Sequence, residues 1–366
     1  MPPLVSISET LLLNTVGRMR GLEAFRSGHL WTPSGARGTF GGQVVGLAML
    51  AATRTVEDKD LHAQHCFFLL PANSQVPITF TVERLRDGKS YATRLVHALQ
   101  DSKTVFILMA SFTSPPRKIP GVGEPANGND SVSYNQEDDP PITHSLKFDK
   151  LEVPSPRGSE LPKPSYDTRP FTPTYQKPFP EDITPWGQAT IEEETWSKFL
   201  DAVKDRGFDL GKKVRAVQNY IDERKQSPVT IAIARQQAGK WGTSRAIWLK
   251  PRFEPGEQLD DNSFRALIGF MTDFQFIGTG GRAASLDHTT HYYPFPEDMD
   301  KSAPLLHVME AVSVDVGAGR GLVRGLVYTE KGVLIAMTSQ EGVIRADFGE
   351  GIRPRRESDR QGAAKL

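Results

Sequence analysis

Residues 40–53, FGGQVVGLAMLAAT, decide the fold. Val44, Leu47, Ala48 and Ala51 stand at i, i+3, i+4 and i+7, the spacing of a helix with one apolar face. Two glycines open the stretch, where the chain must turn tightly before the helix begins. Further on, Ile78, Phe80 and Val82 alternate with Thr79, Thr81 and Glu83, which predicts a half-buried strand. Arg86-Asp87-Gly88-Lys89 carries the Asp-Gly hairpin signal. Residues 91–99 and 105–112 follow as two more strands, separated by Gln100-Asp101-Ser102-Lys103. One helix followed by an antiparallel meander that can wrap it is an α+β unit.

The same order recurs further down the chain. Residues 264–274, FRALIGFMTDF, are helix-like, and strand-like segments follow at 284–293, 306–314, 321–328 and 333–344. His65-Cys66-Phe67-Phe68 lines up with His291-Tyr292-Tyr293 at an offset of 226, and Glu83 with Glu310 at 227. VFILMAS (105–111) lines up with VLIAMTS (333–339) at 228. An offset that drifts by two residues over this span marks a duplicated unit. Two copies in one chain resemble a dimer fused end to end, with their sheets joined into one layer and ligands bound where the copies meet. Between them, 15 of the 27 prolines fall from Pro115 to Pro185. That stretch is too poor in apolar residues to fold alone and reads as a linker or surface-hugging insertion. The expected organisation is a first unit at 1–114, an insertion at 115–190, a second unit at 191–350 and a flexible polar tail at 351–366.

Composition removes several classes of function. With 44 basic and 44 acidic residues among 366, the chain lacks the cationic excess of a duplex-coating protein, so no nucleic-acid partner is expected. No apolar run approaches the roughly 20 residues of a membrane-spanning helix. The N-terminus has no basic region followed by a cleavage site, and the single cysteine, Cys66, suits a reducing compartment. No G-x-S-x-G elbow is present. The glycine runs at 278–281 and 317–321 are not dinucleotide fingerprints and read as turns. His62/His65 and His288/His291 are spaced i, i+3. On regular strands such pairs point to opposite faces and cannot share a metal, so no metal site is expected.

Where the copies differ, polar residues replace apolar ones. Asp273 lies in an otherwise apolar helix, and Gln340 stands where the first copy has Phe112. Ser285 opens the segment SLDHTTHYY. A lone Asp, Ser or Gln is ordinarily a cap or a strand-end hydrogen bonder. As a trio they suggest a base, a hydroxyl and an amide converging on one water. Burial among Met271, Phe274 and Phe276 would raise the basicity of Asp273.

FGGQVVGLAMLAA, LHAQHCFFL, VERLRDGKSYATRLVHALQ, MTDFQF, ASLDHTTHYY, GRGLVRGLVY and SQEGVIR together resemble the acyl-CoA thioesterase II family. In that family two hot-dog folds, each a long helix wrapped by a curved antiparallel sheet, share one chain. The resemblance covers about residues 28–112 and 264–345. It implies hydrolysis of acyl-CoA to fatty acid and CoA without metal or covalent cofactor. Carried over by motif, the catalytic set is Asp273, Ser285 and Gln340, which coincides with the trio above. Asp273 would take a proton from an attacking water, and attack by Asp273 itself to form an anhydride stays open. A backbone N–H at Gly41 or Gly42 would meet the oxyanion. Arg320, Arg324 and Arg345 are the candidates for the CoA phosphates. Two departures stand out. The family's F-L-R-P-G is Phe68-Leu69-Leu70-Pro71-Ala72, and the tryptophan after L-D-H is absent. An acyl-CoA hydratase using His288 beside Asp287, or a non-catalytic acyl-CoA-binding protein, are the competing readings. The resemblance also implies a homo-oligomer. Ala364-Lys365-Leu366 is similar to a peroxisomal import signal, which would give an import receptor as partner and the peroxisome, rather than the cytoplasm, as address.

Overall fold

The computed structural model describes residues 6–34, 36–115, 177–206, 212–239, 242–276, 283–315 and 317–344. Arg345 and Ala364-Lys365-Leu366 lie outside them. The first repeat starts with a short helix, α1 (Ile7–Thr10), and a hairpin of β1 (Leu13–Met19) and β2 (Leu22–Ser27). Then come α2 (Gly41–Thr53), β3 (Asp60–Phe68), β4 (Thr79–Asp87), β5 (Tyr91–Gln100) and β6 (Lys103–Thr113). The apolar spacing read in the sequence puts Val44, Leu47, Ala48 and Ala51 in the core. Phe80, Val96, Phe106, Leu108 and Phe112 cover α2 from the sheet side. At about 1.5–3 kcal/mol for each large apolar side chain buried, this face holds the helix inside the sheet.

The second repeat has the same order, hairpin, helix and meander, with the first strand of the meander broken in two so that five strands follow the helix. A two-residue strand β7 (Thr190–Ile191) leads into helices α3 (Glu192–Asp205) and α4 (Lys212–Lys225), which the sequence reading did not anticipate. The hairpin is β8 (Val229–Gly239) with β9 (Gly242–Pro251), and the helix is α5 (Asp261–Thr272). The Asp260 side chain caps α5 by accepting the Ser263 N–H at 2.9 Å. β10 (Ala283–Ser285), β11 (Asp287–Tyr292), β12 (Leu305–Asp315), β13 (Arg320–Thr329) and β14 (Leu334–Ile344) complete it. The end of the Pro-rich stretch is packed: Phe179 meets the rings of Trp248 and Tyr328 at 6.4 and 5.5 Å.

All described strands form one antiparallel sheet, in the order β1-β2-β4-β5-β6-β3-β11-β14-β13-β12-β9-β8-β7, with β10 beside β14. The repeats join at β3 and β11. There Gln64 faces Thr290, and these two are themselves equivalent at the offset of 226, so a pseudo-twofold axis passes between them. This is the tandem hot-dog that the repeat predicts. Inside it α2 packs on α5, and the contact is close because small residues line it. A Cβ on Gly46 would come within 3.1 Å of the Ala266 carbonyl oxygen. Among the described residues no helix is long and apolar enough to cross a membrane.

Two sequence-level expectations are corrected here. A β-bulge between Leu61 and Ala63 leaves His62 outside the regular alternation. His62 bonds the Ser111 hydroxyl at 2.9 Å on the outer face, the side that exposed His65 also occupies. The spacing argument for opposite faces therefore fails at His62/His65. It holds at His288/His291, where His288 is buried and His291 is not. In addition, α5 stops at Thr272, so Asp273 is the cap residue at the helix end rather than a residue of its interior.

Candidate active site

The strongest polar convergence lies where the start of α2 meets the end of α5. Asp273 Oδ2 accepts the backbone N–H of Gly42 at 2.7 Å, and Oδ1 accepts from Gln340 Nε2 at 2.7 Å. The same Gln340 nitrogen lies 2.9 Å from Ser285 Oγ. The amide orientation follows from the carboxylate: reversed, the Gln340 oxygen would face Asp273 Oδ1. All three trio residues are thus brought together, from the cap of α5, the end of β10 and the inner face of β14.

Local sequence explains each placement. Phe40, at the N-cap of α2, offers no capping side chain, so the first N–H groups of that helix need another acceptor. Asp273, from the other repeat, supplies it and sits at the positive end of the α2 dipole. The two chain segments touch only because Gly41 and Gly42 lack side chains. A Cβ on Gly42 would fall 2.4 Å from the Phe270 carbonyl oxygen, and one on Gly41 would fall 2.9 Å from Asp273 Oδ2. Aromatic rings lock the joint, with Phe40 stacked on Phe274 at 4.6 Å and edge-on to Phe270 at 5.5 Å. Ser285 ends β10 where the edge breaks at Leu286. β14 is pinned there because the Glu341 N–H donates to Asp287 Oδ1 at 2.8 Å.

Burial pushes the Asp273 carboxyl above its ordinary value, while the bonds from Gln340 and Gly42 pull it back. The outcome is a carboxylate of increased basicity that keeps some contact with solvent, a suitable general base. Comparison of the repeats shows how space for polarity was made. Phe80, Ala98, Ala110 and Phe112 of the first repeat correspond to His307, Gly325, Thr338 and Gln340 of the second. His307 Nε2 lies 3.0 Å from the Thr338 hydroxyl, and a Cβ on Gly325 would come within 2.3 Å of both. His288 lies 2.9 Å from Gln64 Nε2. Desolvation holds His288 down at about 4 and His307 at about 3, so both are neutral at physiological pH.

The remaining candidates separate from the trio. Arg320 pairs with Glu341 at 3.4 Å and Arg324 with Glu310 at 3.6 Å, all on the exposed outer face of the sheet. The Gly42 N–H is occupied by Asp273, whereas no described residue accepts the Gly41 N–H. Asp287 and His288 point to opposite faces of β11, one half-exposed and one buried, so the acid–histidine pair of a hydratase does not form. Sequence reasoning missed Phe40 and Phe274 as the clamp. Their flanking of GG and D at the two helix ends was the available signal.

Comparisons with known proteins agree with this fold. The family model described as the acyl-CoA thioesterase N-terminal domain matches residues 29–113, and the one for the C-terminal domain matches 201–344. The chain is similar to acyl-coenzyme A thioesterase 8 of Mus musculus, 28% identical over 341 residues, covering 88% of this chain and 85% of that protein. It is 33% identical over 81 residues to peroxisomal acyl-coenzyme A thioester hydrolase 1 of Saccharomyces cerevisiae, covering 22% of this chain and 23% of that one. Among solved structures, an acyl-CoA thioesterase II from Mycobacterium marinum superposes with a TM-score of 0.54 at 20% identity, covering 95% and 99% of the two chains.

Proposed function

The chain belongs to the acyl-CoA thioesterase family and hydrolyses acyl-CoA thioesters; from that premise we propose that Asp273, Ser285 and Gln340 carry out the hydrolysis. The observation that carries this reading is the Gln340 amide, which spends its N–H groups on Asp273 Oδ1 and Ser285 Oγ. That arrangement turns a carboxylate and a hydroxyl toward one point. A water held between Asp273 and Ser285 attacks the thioester carbonyl carbon, and Asp273 takes the water's proton. The tetrahedral intermediate places its negative oxygen at the Gly41 N–H, at the positive end of α2. Collapse breaks the carbon–sulfur bond, and the CoA thiolate leaves with the proton returned from Asp273.

Ser285→Ala and Gln340→Ala, alone and combined, test the reading by thiol release from an acyl-CoA. If both act through one water, each lowers kcat and the double variant is little worse than the poorer single. Fully additive losses would separate the residues and refute the shared role.

The reading extends to address and assembly. A peroxisomal location is supported by the name of the yeast relative and by Ala364-Lys365-Leu366, and a fluorescent fusion carrying the last dozen residues tests it. Association of several copies is supported by Phe67 and Met109, which stand exposed on the outer sheet face beside the pseudo-twofold axis. Light scattering of the purified chain tests that.

A further inference from the structure

The α3–α4 helical hairpin has no counterpart among the described residues of the first repeat, and it presses on the turn that follows Asp273. Gln275 in that turn has φ +57°, a left-handed backbone that a residue with a Cβ adopts only when its surroundings impose it. Its side chain is bonded at both ends. Oε1 accepts from Arg245 Nη1 at 2.9 Å, and Nε2 donates to the Glu192 carboxylate at the start of α3. Glu192 is itself buried and lies 3.6 Å from Arg224 Nε, and Arg224 is 2% exposed. The Arg224 guanidinium covers the Phe274 ring at 4.8 Å, and the same ring stacks with Phe40 at 4.6 Å. Glu223, next to Arg224 on α4, accepts the Ser34 N–H at 2.9 Å, in the loop that leads to Gly41 and Gly42.

A buried ion pair is seldom a net source of stability, since apolar residues of similar volume usually serve as well. What it supplies is a fixed geometry. Here the fixed geometry bears on the two residues that follow Asp273 in the chain. We propose that Gln275, held by Glu192 and Arg245, is a positioning residue that sets the direction of the Asp273 carboxylate toward Gly42 and Gln340. The hydrogen bond from Gln275 Nε2 to the Glu192 side-chain oxygen is the anchor of that restraint. The proposal rests on Asp273 as the base and adds a device that aims it. The signal in the sequence is Arg224, which continues the apolar stripe Val214, Val217 and Ile221 of α4 and so points into the protein.

The test compares Gln275→Ala, Gln275→Gly, Glu192→Ala and Glu192→Gln in the full chain, with kcat and KM from thiol release and thermal denaturation in parallel. Misaiming a reacting group by about 1 Å costs up to about 10²-fold. Gln275→Ala and Glu192→Ala should therefore lose about 10- to 100-fold in kcat with KM held within about threefold. Gln275→Gly suits the left-handed backbone but lacks the amide, and it should be as slow as Gln275→Ala. Glu192→Gln still offers an oxygen to the Gln275 amide and should recover to within about threefold of wild type. A merely structural role moves the melting temperature and leaves kcat per folded molecule in place. The proposal is overturned if Gln275→Ala turns over within threefold of wild type, or if Glu192→Gln is as slow as Glu192→Ala. Should Gln275→Ala not fold, the two Glu192 variants decide. Asp273→Asn separates the layers: a fast Asp273→Asn sinks the base assignment, whereas a slow Asp273→Asn beside fast Gln275 and Glu192 variants sinks this inference alone.

Discussion

Gly42→Ala probes the joint between the two repeats, and two opposing effects meet there. On helix propensity alone, alanine inside α2 is favoured by about 1 kcal/mol over glycine. The packing opposes it, because the new Cβ would lie 2.4 Å from the Phe270 carbonyl oxygen, 2.7 Å from Phe40 Cε1 and 2.9 Å from Asp273 Cβ. The Phe270 oxygen belongs to the backbone of α5 and cannot rotate away. Ordinary contact begins near 3.4 Å, so the helices must part by about 1 Å. Overpacking of this kind costs about 1–3 kcal/mol, and stretching the charge-assisted bond from Gly42 N–H to Asp273 forfeits up to about 1.5–3 kcal/mol. After the propensity gain is subtracted, the variant is destabilised by up to about 5 kcal/mol. Turnover falls by up to about 10²-fold because the base is displaced. Thiol release and urea denaturation of the same preparation measure both. Gly41→Ala is the milder companion: its Cβ meets Asp273 Oδ2 at 2.9 Å and the Phe68 ring at 3.0 Å, which are ends of side chains that can turn. A Gly42→Ala protein with wild-type turnover and raised stability would refute the close-contact reasoning.

Two further outcomes follow from the polar core of the second repeat. The unfolded chain binds a proton at His288 and His307 below about 6.5, but the folded chain does so only near 4 and 3, so stability is full above that unfolded value and declines as pH falls through it. At about 1.4 kcal/mol per unit for each imidazole, these two groups together should contribute about 4 kcal/mol less stability in urea melts at pH 5 than at pH 7. His288→Asn should remove about half of that loss, and an unchanged loss would contradict the assignment. Gly325→Ala would drive a methyl into His307 Nε2 and Thr338 Oγ1, 2.3 Å away, and should lower stability by about 1–3 kcal/mol in thermal denaturation. A neutral or stabilising result would show that the two side chains can move aside.

Much of this architecture is legible in the chain because period and repeat agree. The apolar spacing at 40–53 and the offset of 226–228 locate both helices and the seam, and the Phe112-to-Gln340 difference points at the site. The hairpins β1–β2 and β8–β9 are not legible in the same way. In β1 only Leu13 is buried, so no alternation marks it as a strand. The bulge at His62 reverses a face assignment that spacing alone would make. The bond from Gly42 to Asp273 spans 231 positions in sequence, and its only local trace is a helix start with no capping side chain. The α3–α4 hairpin carried a readable signal in Arg224 on an apolar stripe, a charge that has to be paired once it is buried.

Asp273→Asn tests the central claim most directly. The substitution preserves size and leaves an oxygen for the Gly42 N–H, yet it removes the group that accepts water's proton. Steady-state thiol release from an acyl-CoA should show kcat reduced by about 10²–10⁴-fold with KM little changed. Asp287→Asn, which keeps an acceptor for the Glu341 N–H, is the isosteric control and should act mainly on local geometry and folding. An Asp273→Asn enzyme with near wild-type kcat would contradict the account.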